Sequence, residues 1–282
     1  MMKTSDNIKE TRELLKPYRE GKIALVPTMG YLHEGHMTLV EEAREHADFV
    51  VLSLFVNPLQ FGPDEDLDTY PRDLARDLKI CEENGVDFVF HPSEKEMYPK
   101  VQELKLNLAS MSSILDGIKR PGHFEGVITV VNKLFNIIEP DFAVFGEKDR
   151  QQLMIIQRMV EDFNHDLEII GVPTAREPDG LAKSSRNVNL TDVEREEAPA
   201  IHQALEIGRD LVQEGETDIE SVKERIEMHV MDHTSGEIDD LQIFSHPDLN
   251  TIQTVSADVI IFIAVKFERV RLIDNMLVII ND

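Results

Sequence analysis

The sequence predicts an α/β fold built on a parallel β-sheet, followed by a smaller α+β region. Apolar runs alternate with helical patterns of about a dozen residues in the first part of the chain, which is typical of β-α-β units. From about residue 176 this alternation stops. A chain of 282 residues with 41% hydrophobic residues can form two cores. We therefore expect one domain over residues 1–175 and a second over 176–282.

The elements of the first region follow from apolar periodicity and from residues that end helices. Gly85 lies just beyond the second predicted helix, and Pro140 lies just beyond the third. The predicted strands cover residues 23–29, 49–56, 87–90, 142–145 and 167–172. The predicted helices cover residues 36–46, 71–84, 127–138 and 151–163.

The sequence of the second region predicts two helices and several strands. Thr-Asp pairs at 191–192 and 217–218 are N-capping signals for helices over 192–214 and 218–233. Apolar runs at 237–244 and 259–265 predict strands. Two shorter runs, 270–273 and 277–280, flank Asp274-Asn275-Met276, which we interpret as a hairpin turn.

The acidic composition limits the classes of function. Lysine and arginine total 29 against 54 aspartates and glutamates, and the formal net charge is −25. The chain therefore lacks the basic footprint of a general nucleic-acid binder. If its ligands are anions, the binding site must be locally positive. Cations near the motifs are for this reason informative.

Neither export nor membrane insertion is expected. Cys81 is the single cysteine, so no intrachain disulfide framework exists. Residues 1–10 lack the apolar core of a signal peptide. No stretch approaches the roughly eighteen apolar residues of a membrane span. We expect a cytoplasmic protein whose partners include neither a membrane nor a nucleic acid.

Two imidazoles follow directly on the first predicted strand, in His33-Glu34-Gly35-His36. A helix N-terminus favours phosphate through its N–H groups and its dipole, and histidines can donate to phosphate oxygens. A zinc site is not favoured, because no third ligand follows at metal-ligand spacing. The pair also occurs by chance, so this motif alone leaves its role open.

Three further stretches lie at strand ends or in predicted loops: Val56–Gly62, Phe145–Gln152 and Asp179–Asn187. Amide side chains in the first can orient a carboxylate. The lysine of the second and the two cations and two serines of the third can hold phosphates. Each stretch alone is also explained as an ordinary turn, a charged surface turn or a basic linker.

Together these stretches resemble the pantothenate synthetase (pantoate–β-alanine ligase) family of the HxGH nucleotidyltransferase superfamily. The matching motifs occur in family order: Pro27–Gly30, His33–His36, Phe55–Gly62, Arg120–Phe124, Phe145–Asp149, Gln151-Gln152 and Lys183–Asn187. The segments Ala264–Phe267 and Arg271–Asn275 are similar to the end of the family's sequences. His-x-Gly-His alone marks a far wider superfamily.

The resemblance implies a Rossmann-like sheet with helices on both faces that binds ATP and pantoate, and a C-terminal domain that acts as a lid. It implies that the pantoate carboxylate attacks the α-phosphorus of ATP, and that β-alanine then attacks the resulting pantoyl adenylate. Magnesium would accompany ATP, although the sequence does not identify its ligands. A homodimer is also implied.

The resemblance also implies roles for individual residues. His33, His36, Lys148 and Arg186 would be catalytic, with His36 the candidate proton donor. Gln60, Gln152 and Asn57 would bind pantoate or β-alanine. ATP would be bound by a larger set: Met29, Gly30, Tyr31, Leu32, His33, Glu34, Gly35, His36, Gly146, Glu147, Lys148, Asp149, Ala175, Lys183, Ser184, Ser185 and Arg186.

Two positions depart from the commoner family pattern. Tyr31 stands where many members carry a small or amide residue, and Lys183 stands where many carry Leu or Met. Lys183 can add a phosphate contact or lie in solvent, and the sequence leaves this open. Neither departure removes a group that the implied reaction needs.

Two other functions remain open at this point. A nucleotidyltransferase that joins a nucleotide to a phosphorylated cofactor precursor would share the histidine motif. Such chains are usually shorter and lack the Asn57/Gln60 and Gln151/Gln152 stretches. A nucleotide-sensing protein without turnover would share the fold, although every cation and imidazole expected of the site is present here.

Overall fold

The structure is a computed structural model that describes residues 2–63, 65 and 67–280. Its contacts divide the chain into two compact units. The first comprises Met1–Glu147 and Gln151–Pro173, and the second comprises Lys148–Arg150 and Thr174–Asp282. In the described ranges, no helix has the length and apolar character required to cross a membrane.

The first unit holds six strands: β1 (Lys3–Ser5), β2 (Ile23–Thr28), β3 (Phe49–Leu54), β4 (Phe88–Phe90), β5 (Phe142–Gly146) and β6 (Glu168–Val172). The helices between them are α1 (Ile8–Leu15), α2 (Glu34–His46), α3 (Leu74–Glu83), α4 (Glu94–Met97), α5 (Asp116–Lys119), α6 (His123–Ile138) and α7 (Arg150–Phe163).

The six strands form one sheet in the order β1-β4-β3-β2-β5-β6, and every pair is parallel. The chain moves outward from β2 through β3 to β4 and then returns to the other side of β2 for β5. The strand order therefore reverses between β2 and β5. Ligands of open α/β sheets bind at the carboxyl ends of strands at such a point.

Both faces of this sheet are covered, as the resemblance implies. One core contains residues of α1, α6 and α7 together with Leu25 and Val51. The other contains residues of α2 and α3 together with Ala24 and Val50. Successive strand residues point to opposite faces, so strands buried on both sides read as continuous apolar runs. The run over β3 is buried at every position.

The second unit is built from α8 (Asp192–Glu197), α9 (Ala200–Gln213), α10 (Ile219–His233), β7 (Glu237–Ser245), β8 (Val259–Lys266) and β9 (Arg271–Val278). The strands form an antiparallel sheet in the order β7-β8-β9. Apolar residues of α9, α10 and the three strands share one core. This arrangement confirms the predicted α+β character of the region.

Two sequence predictions in this unit are wrong. The helix predicted over 192–214 is interrupted, because Pro199 has no N–H to donate and its ring clashes with the preceding turn. The hairpin predicted at Asp274-Asn275-Met276 does not form. Instead β9 runs straight through these residues and pairs with β8 along its whole length. Polar side chains at 274 and 275 suggested a turn, but both are buried and hydrogen-bonded.

Helix α6 packs so closely against the short 3-10 turn Pro58–Gln60 that no side chain fits between their backbones at Gly126. A Cβ atom on Gly126 would lie 2.3 Å from the Leu59 carbonyl oxygen and 2.6 Å from the Gln60 nitrogen. The first residue of the helix, His123, joins the same turn through Nδ1, which lies 2.8 Å from the Gln60 carbonyl oxygen. The glycine and the histidine together fix where Gln60 stands.

We expect Gly126→Ala to destabilise the protein by about 1–3 kcal/mol, because the added methyl collides with backbone that cannot rotate away. The loss should appear although alanine is intrinsically favoured over glycine within helices. Chemical denaturation measures the free energy of unfolding. Gly62→Ala is the matched control, since its Cβ would meet only side-chain atoms at 3.8 Å or more. Equal stability of the two variants would contradict the close approach.

Stability should also depend on pH through His123. Burial, and next the Arg120 guanidinium, lower the pKa of this histidine below its ordinary value. The unfolded chain then binds a proton more readily than the folded chain, so the free energy of unfolding decreases as pH falls through about 6.5. Denaturation at pH 5 to 8 should show a smaller decrease in His123→Gln than in the parent. Identical pH profiles would exclude this contribution.

Candidate active site

The loop after β2 carries the first group of predicted residues at the point where strand order reverses. Gly30 and Tyr31 both adopt left-handed backbone conformations, with φ angles of 85° and 53°. The N–H groups of Tyr31 and Leu32 donate to the two carboxylate oxygens of Asp77, at 2.7 and 2.9 Å. The side chain of Leu32 is buried in the sheet core. These contacts give the loop a defined shape.

His33 and His36 cap the N-terminus of α2. The N–H of Gly35 donates to Nδ1 of His33 at 3.1 Å, and the N–H of His33 donates to Nδ1 of His36 at 3.3 Å. The two ring centroids are 4.1 Å apart. Gly35 accommodates this arrangement, because a Cβ there would lie 3.0 Å from Cε1 of His33.

These contacts determine the form of both imidazoles. A backbone N–H can only donate, so each Nδ1 must accept and each neutral ring carries its proton on Nε2. An Nε2–H is a donor suited to a phosphate oxygen. The prediction of two phosphate-facing histidines at a helix N-terminus is therefore consistent with the local geometry, while ATP contact itself stays a prediction.

The loop after β3 places Asn57 and Gln60 in a buried network. The Nδ2 of Asn57 donates to Oε1 of Gln60 and to the carbonyl of Gly126, each at 3.1 Å. The Tyr98 hydroxyl donates to Oδ1 of Asn57 at 2.8 Å. Burial raises the pKa of Tyr98, so its hydroxyl stays protonated at neutral pH. Asn57 is 1% exposed, and its amide hydrogen-bonds other groups of the protein.

The orientation of Gln60 follows from that network. Because Oε1 accepts from Asn57, the NH₂ group faces the other way and lies 3.2 Å from the sulfur of Met29. Two residues predicted to bind different substrates, Met29 for ATP and Gln60 for pantoate, are thus in contact. Gln60 presents a donor, which suits a carboxylate or hydroxyl oxygen.

Gln151 and Gln152 differ in their surroundings. Gln151 is buried and hydrogen-bonds the backbone of Met111, Ile114 and Asp116. Its function is to hold that loop. Gln152 is partly buried at the start of α7, and its predicted contact with pantoate stays a prediction.

The second unit brings together predicted residues that are distant in sequence. A small cavity is lined by Lys148, Ser184 and Arg186, and by Arg271 and His202, which the sequence analysis did not select. Asp274 is the one carboxylate among the lining residues that the structure describes. The cavity is therefore locally basic within an acidic chain, as expected for an anion site.

Asp274 is neutralised by its own partner. Arg176 reaches its two oxygens with contacts of 2.6 and 3.0 Å. His202 lies beside this pair, with Nδ1 3.8 Å from Oδ2 of Asp274. Burial, followed by the charge of Arg176, lowers the pKa of His202, so the ring is neutral at pH 7. Arg271, Asp274 and Asn275 belong to the terminal segment of the family resemblance, the signal that could have identified them.

The serine loop has a defined local structure. The hydroxyl of Ser184 accepts from the N–H of Arg186 at 3.2 Å and so begins a short 3-10 helix, Ser185–Asn189. The Lys183 N–H donates to the carbonyl of Ala175 at 2.8 Å, which places these two predicted ATP residues side by side. Ser185 is exposed and does not line the cavity.

The remaining predicted residues occupy chain positions next to those described. Glu34 is the first residue of α2 and is exposed. Gly146 is the last residue of β5, and Glu147–Asp149 form a 3-10 turn after it. Asn275 donates from Nδ2 to the carbonyl of Lys148 at 3.1 Å, and both residues belong to the second unit. No cluster of three or more metal-ligating side chains occurs among the described residues.

Known proteins resemble this chain along nearly its whole length. The family model of pantoate-beta-alanine ligase matches residues 3–277. A pantothenate synthetase from Bacillus pumilus is 50% identical over 98% of this chain and 96% of its own. One from Staphylococcus haemolyticus is 47% identical over 98% and 99%.

Solved structures give the same result. The pantothenate synthetase of Thermus thermophilus superposes with a TM-score of 0.90 at 43% identity, covering 98% of this chain and 99% of its own. The pantoate-beta-alanine ligase of Francisella tularensis, complexed with beta-gamma ATP and beta-alanine, gives 0.77 at 38% identity, with 98% of each chain covered. Sequence and fold agree, and this chain belongs to the pantoate–β-alanine ligase family.

Proposed function

We propose that this chain joins pantoate to β-alanine at the expense of ATP, releasing AMP and pyrophosphate. Family membership supports the overall reaction. The observation that carries the proposal is the basic cavity that gathers Lys148, Ser184 and Arg186 from distant parts of the sequence. An ATP-consuming ligase needs such a set of donors, because its charge develops on phosphoryl oxygens.

The reaction proceeds in two steps. A carboxylate oxygen of pantoate attacks the α-phosphorus of ATP, the bond to the β-phosphate oxygen breaks, and pyrophosphate leaves. The amine of β-alanine then attacks the acyl carbon of pantoyl adenylate, loses a proton, and expels AMP. Adenylation is needed because a free carboxylate has no adequate leaving group. Catalysis is then mainly positioning and electrostatic stabilisation.

The phosphates are held by imidazoles, hydroxyls and cations. His33 and His36 donate from Nε2 to phosphate oxygens, and His36 is the candidate donor of a proton to the leaving group. Lys148 and Arg186 supply positive charge, and Ser184 and Ser185 supply hydroxyls. The tautomer of the two histidines supports their role, and the cavity lining supports the roles of Lys148, Ser184 and Arg186. The role of Ser185 is supported by the family resemblance. Lys183 and Glu147 are neighbours of the phosphates in this proposal.

The nucleoside and pantoate are held by other loops. Met29, Gly30, Gly146, Asp149 and Ala175 seat the nucleoside, with Tyr31, Leu32, Glu34 and Gly35 completing the first loop. Gln60 and Gln152 bind pantoate, and amides orient a carboxylate without the tight ion pair that would weaken its nucleophilicity. The donor orientation of Gln60 supports its role.

Magnesium enters with ATP as part of the substrate. This ion usually keeps several waters and is bound through substrate phosphates with one or two carboxylates. We also propose that the enzyme is a cytoplasmic homodimer, with the C-terminal domain acting as a lid. The resemblance to the family is the support for these three properties.

Pyrophosphate exchange tests the proposed reaction directly. We expect labelled pyrophosphate to enter ATP when pantoate is present and to enter much more slowly when it is omitted, because exchange requires reversible adenylation. Exchange with a phosphorylated cofactor precursor in place of pantoate would instead indicate another nucleotidyltransferase. ATP binding without any exchange would indicate a nucleotide sensor, and both outcomes contradict the proposal.

Substitution tests the proposed residues. We expect His36→Ala and Arg186→Ala each to lower kcat by about 100-fold or more, the usual effect of removing a donor to developing charge. His46→Ala on the same helix and Arg225→Ala on the exposed side of α10 are the matched controls. They should retain the parent rate in a steady-state assay of AMP release. Unchanged turnover of His36→Ala would remove that residue from the chemistry.

A further inference from the structure

Asp77 is a buried carboxylate that belongs to none of the motifs of the sequence analysis. It lies on α3 and is 3% exposed. Both of its oxygens accept backbone N–H groups from the loop after β2, Oδ2 from Tyr31 and Oδ1 from Leu32. A carboxylate withdrawn from water is retained only when its charge is compensated by such bonds.

The backbone conformation of the loop explains why it binds the carboxylate of Asp77. Consecutive N–H groups in a left-handed turn point to the same side and form a concavity for an anion. Gly30 and Tyr31 have that conformation here. Asp77 occupies the concavity, and even a Cβ on Gly30 would lie only 3.0 Å from its Oδ2. The anion at this turn is therefore part of the protein, and the substrate phosphates must use the other donors.

Arg76 completes the contact between α3 and the loop. Its Nη2 donates to the carbonyl of Leu32 at 2.7 Å, and its Nη1 lies 3.3 Å from Oδ1 of Asp77. Its guanidinium covers the ring of Tyr31 at 4.9 Å from the centroid. Helix α3 thus binds the N–H groups of the loop through Asp77 and a carbonyl group through Arg76. Arg76 also balances the charge of the buried carboxylate.

The hydrogen bonds from Asp77 and Arg76 to the loop after β2 act on His33 and His36 through one peptide unit. Leu32 precedes His33, whose ring and backbone fix the start of α2 and the position of His36. A positive φ is sterically unfavourable for a non-glycine residue such as Tyr31, and it persists only when the surroundings hold it. Without Asp77 the turn would relax, and the two histidines would move with it.

We propose that Asp77 is a positioning residue that holds the loop Gly30–Leu32 so that His33 and His36 meet ATP. This inference rests on the proposed function of the two histidines. It assigns to Asp77 no contact with substrate.

The test uses Asp77→Asn in the full chain. Asparagine keeps the size of the side chain but offers one acceptor in place of two, so one loop N–H faces an NH₂ group. We expect kcat/KM for ATP to fall by about tenfold to a hundredfold, as for loss of a hydrogen bond to a charged group. KM for pantoate and for β-alanine should change by less than about threefold.

Asp73→Asn is the matched control. Asp73 lies one turn earlier on the same helix and caps it by accepting from the N–H of Arg76, which asparagine does equally well. The control removes the same charge and should keep the parent kinetics. Pantoate binding, measured by calorimetry, confirms that each variant is folded, and thermal unfolding reports any general loss of stability.

A second variant separates positioning from general damage. Tyr31→Gly in the Asp77→Asn background should recover part of kcat/KM for ATP, because glycine adopts the left-handed turn without steric cost. Equal kinetics of Asp77→Asn and Asp73→Asn would overturn the role of Asp77. Equal losses for ATP and pantoate would also overturn it. If the unsubstituted protein shows no pantoate-dependent exchange, the proposed function itself is contradicted. That outcome is distinguishable, because it needs no comparison with a variant.

Discussion

The parallel pairing of β2 with β3 on one side and β5 on the other is the constraint on which the first unit's candidate site depends. Parallel strands end at the same edge, so the loops after β2, β3 and β5 emerge together. Pairing of β2 with β5 covers only Ala24 and Leu25, whereas pairing with β3 covers all six residues. The sheet is therefore open beside the loop that carries the histidines.

Buried polar side chains then shape those loops from within. Asn57, Asp77 and Gln151 are each at least 95% buried, and each bonds backbone or side chains of a neighbouring loop. Such groups are retained only when their hydrogen bonds are satisfied. Their effect is to hold the loops after β2 and β3, and the loop before α6, in defined conformations.

The acidity of the chain has a local exception in the second unit. Lys148, Arg186 and Arg271 line one cavity, and its carboxylate, Asp274, is paired with Arg176. The cavity therefore has a locally positive lining although the formal net charge of the chain is −25. At physiological salt, charges beyond about 8 Å are largely screened, so the local set outweighs the overall charge.

The sequence by itself determined the fold class and the family, because these depend on periodicity, capping and contiguous motifs. It also predicted the histidine and serine loops as phosphate-binding segments. It missed Asp77, Tyr98 and His202, which lie outside any motif and act through contacts with distant segments. It also misjudged Asp274 and Asn275, whose polarity indicates a turn until the partners Arg176 and Lys148 are known. Only tertiary structure decides whether a polar side chain faces water or a buried partner. Water and a protein partner can each satisfy its hydrogen bonds, so the residue type alone does not distinguish the two cases.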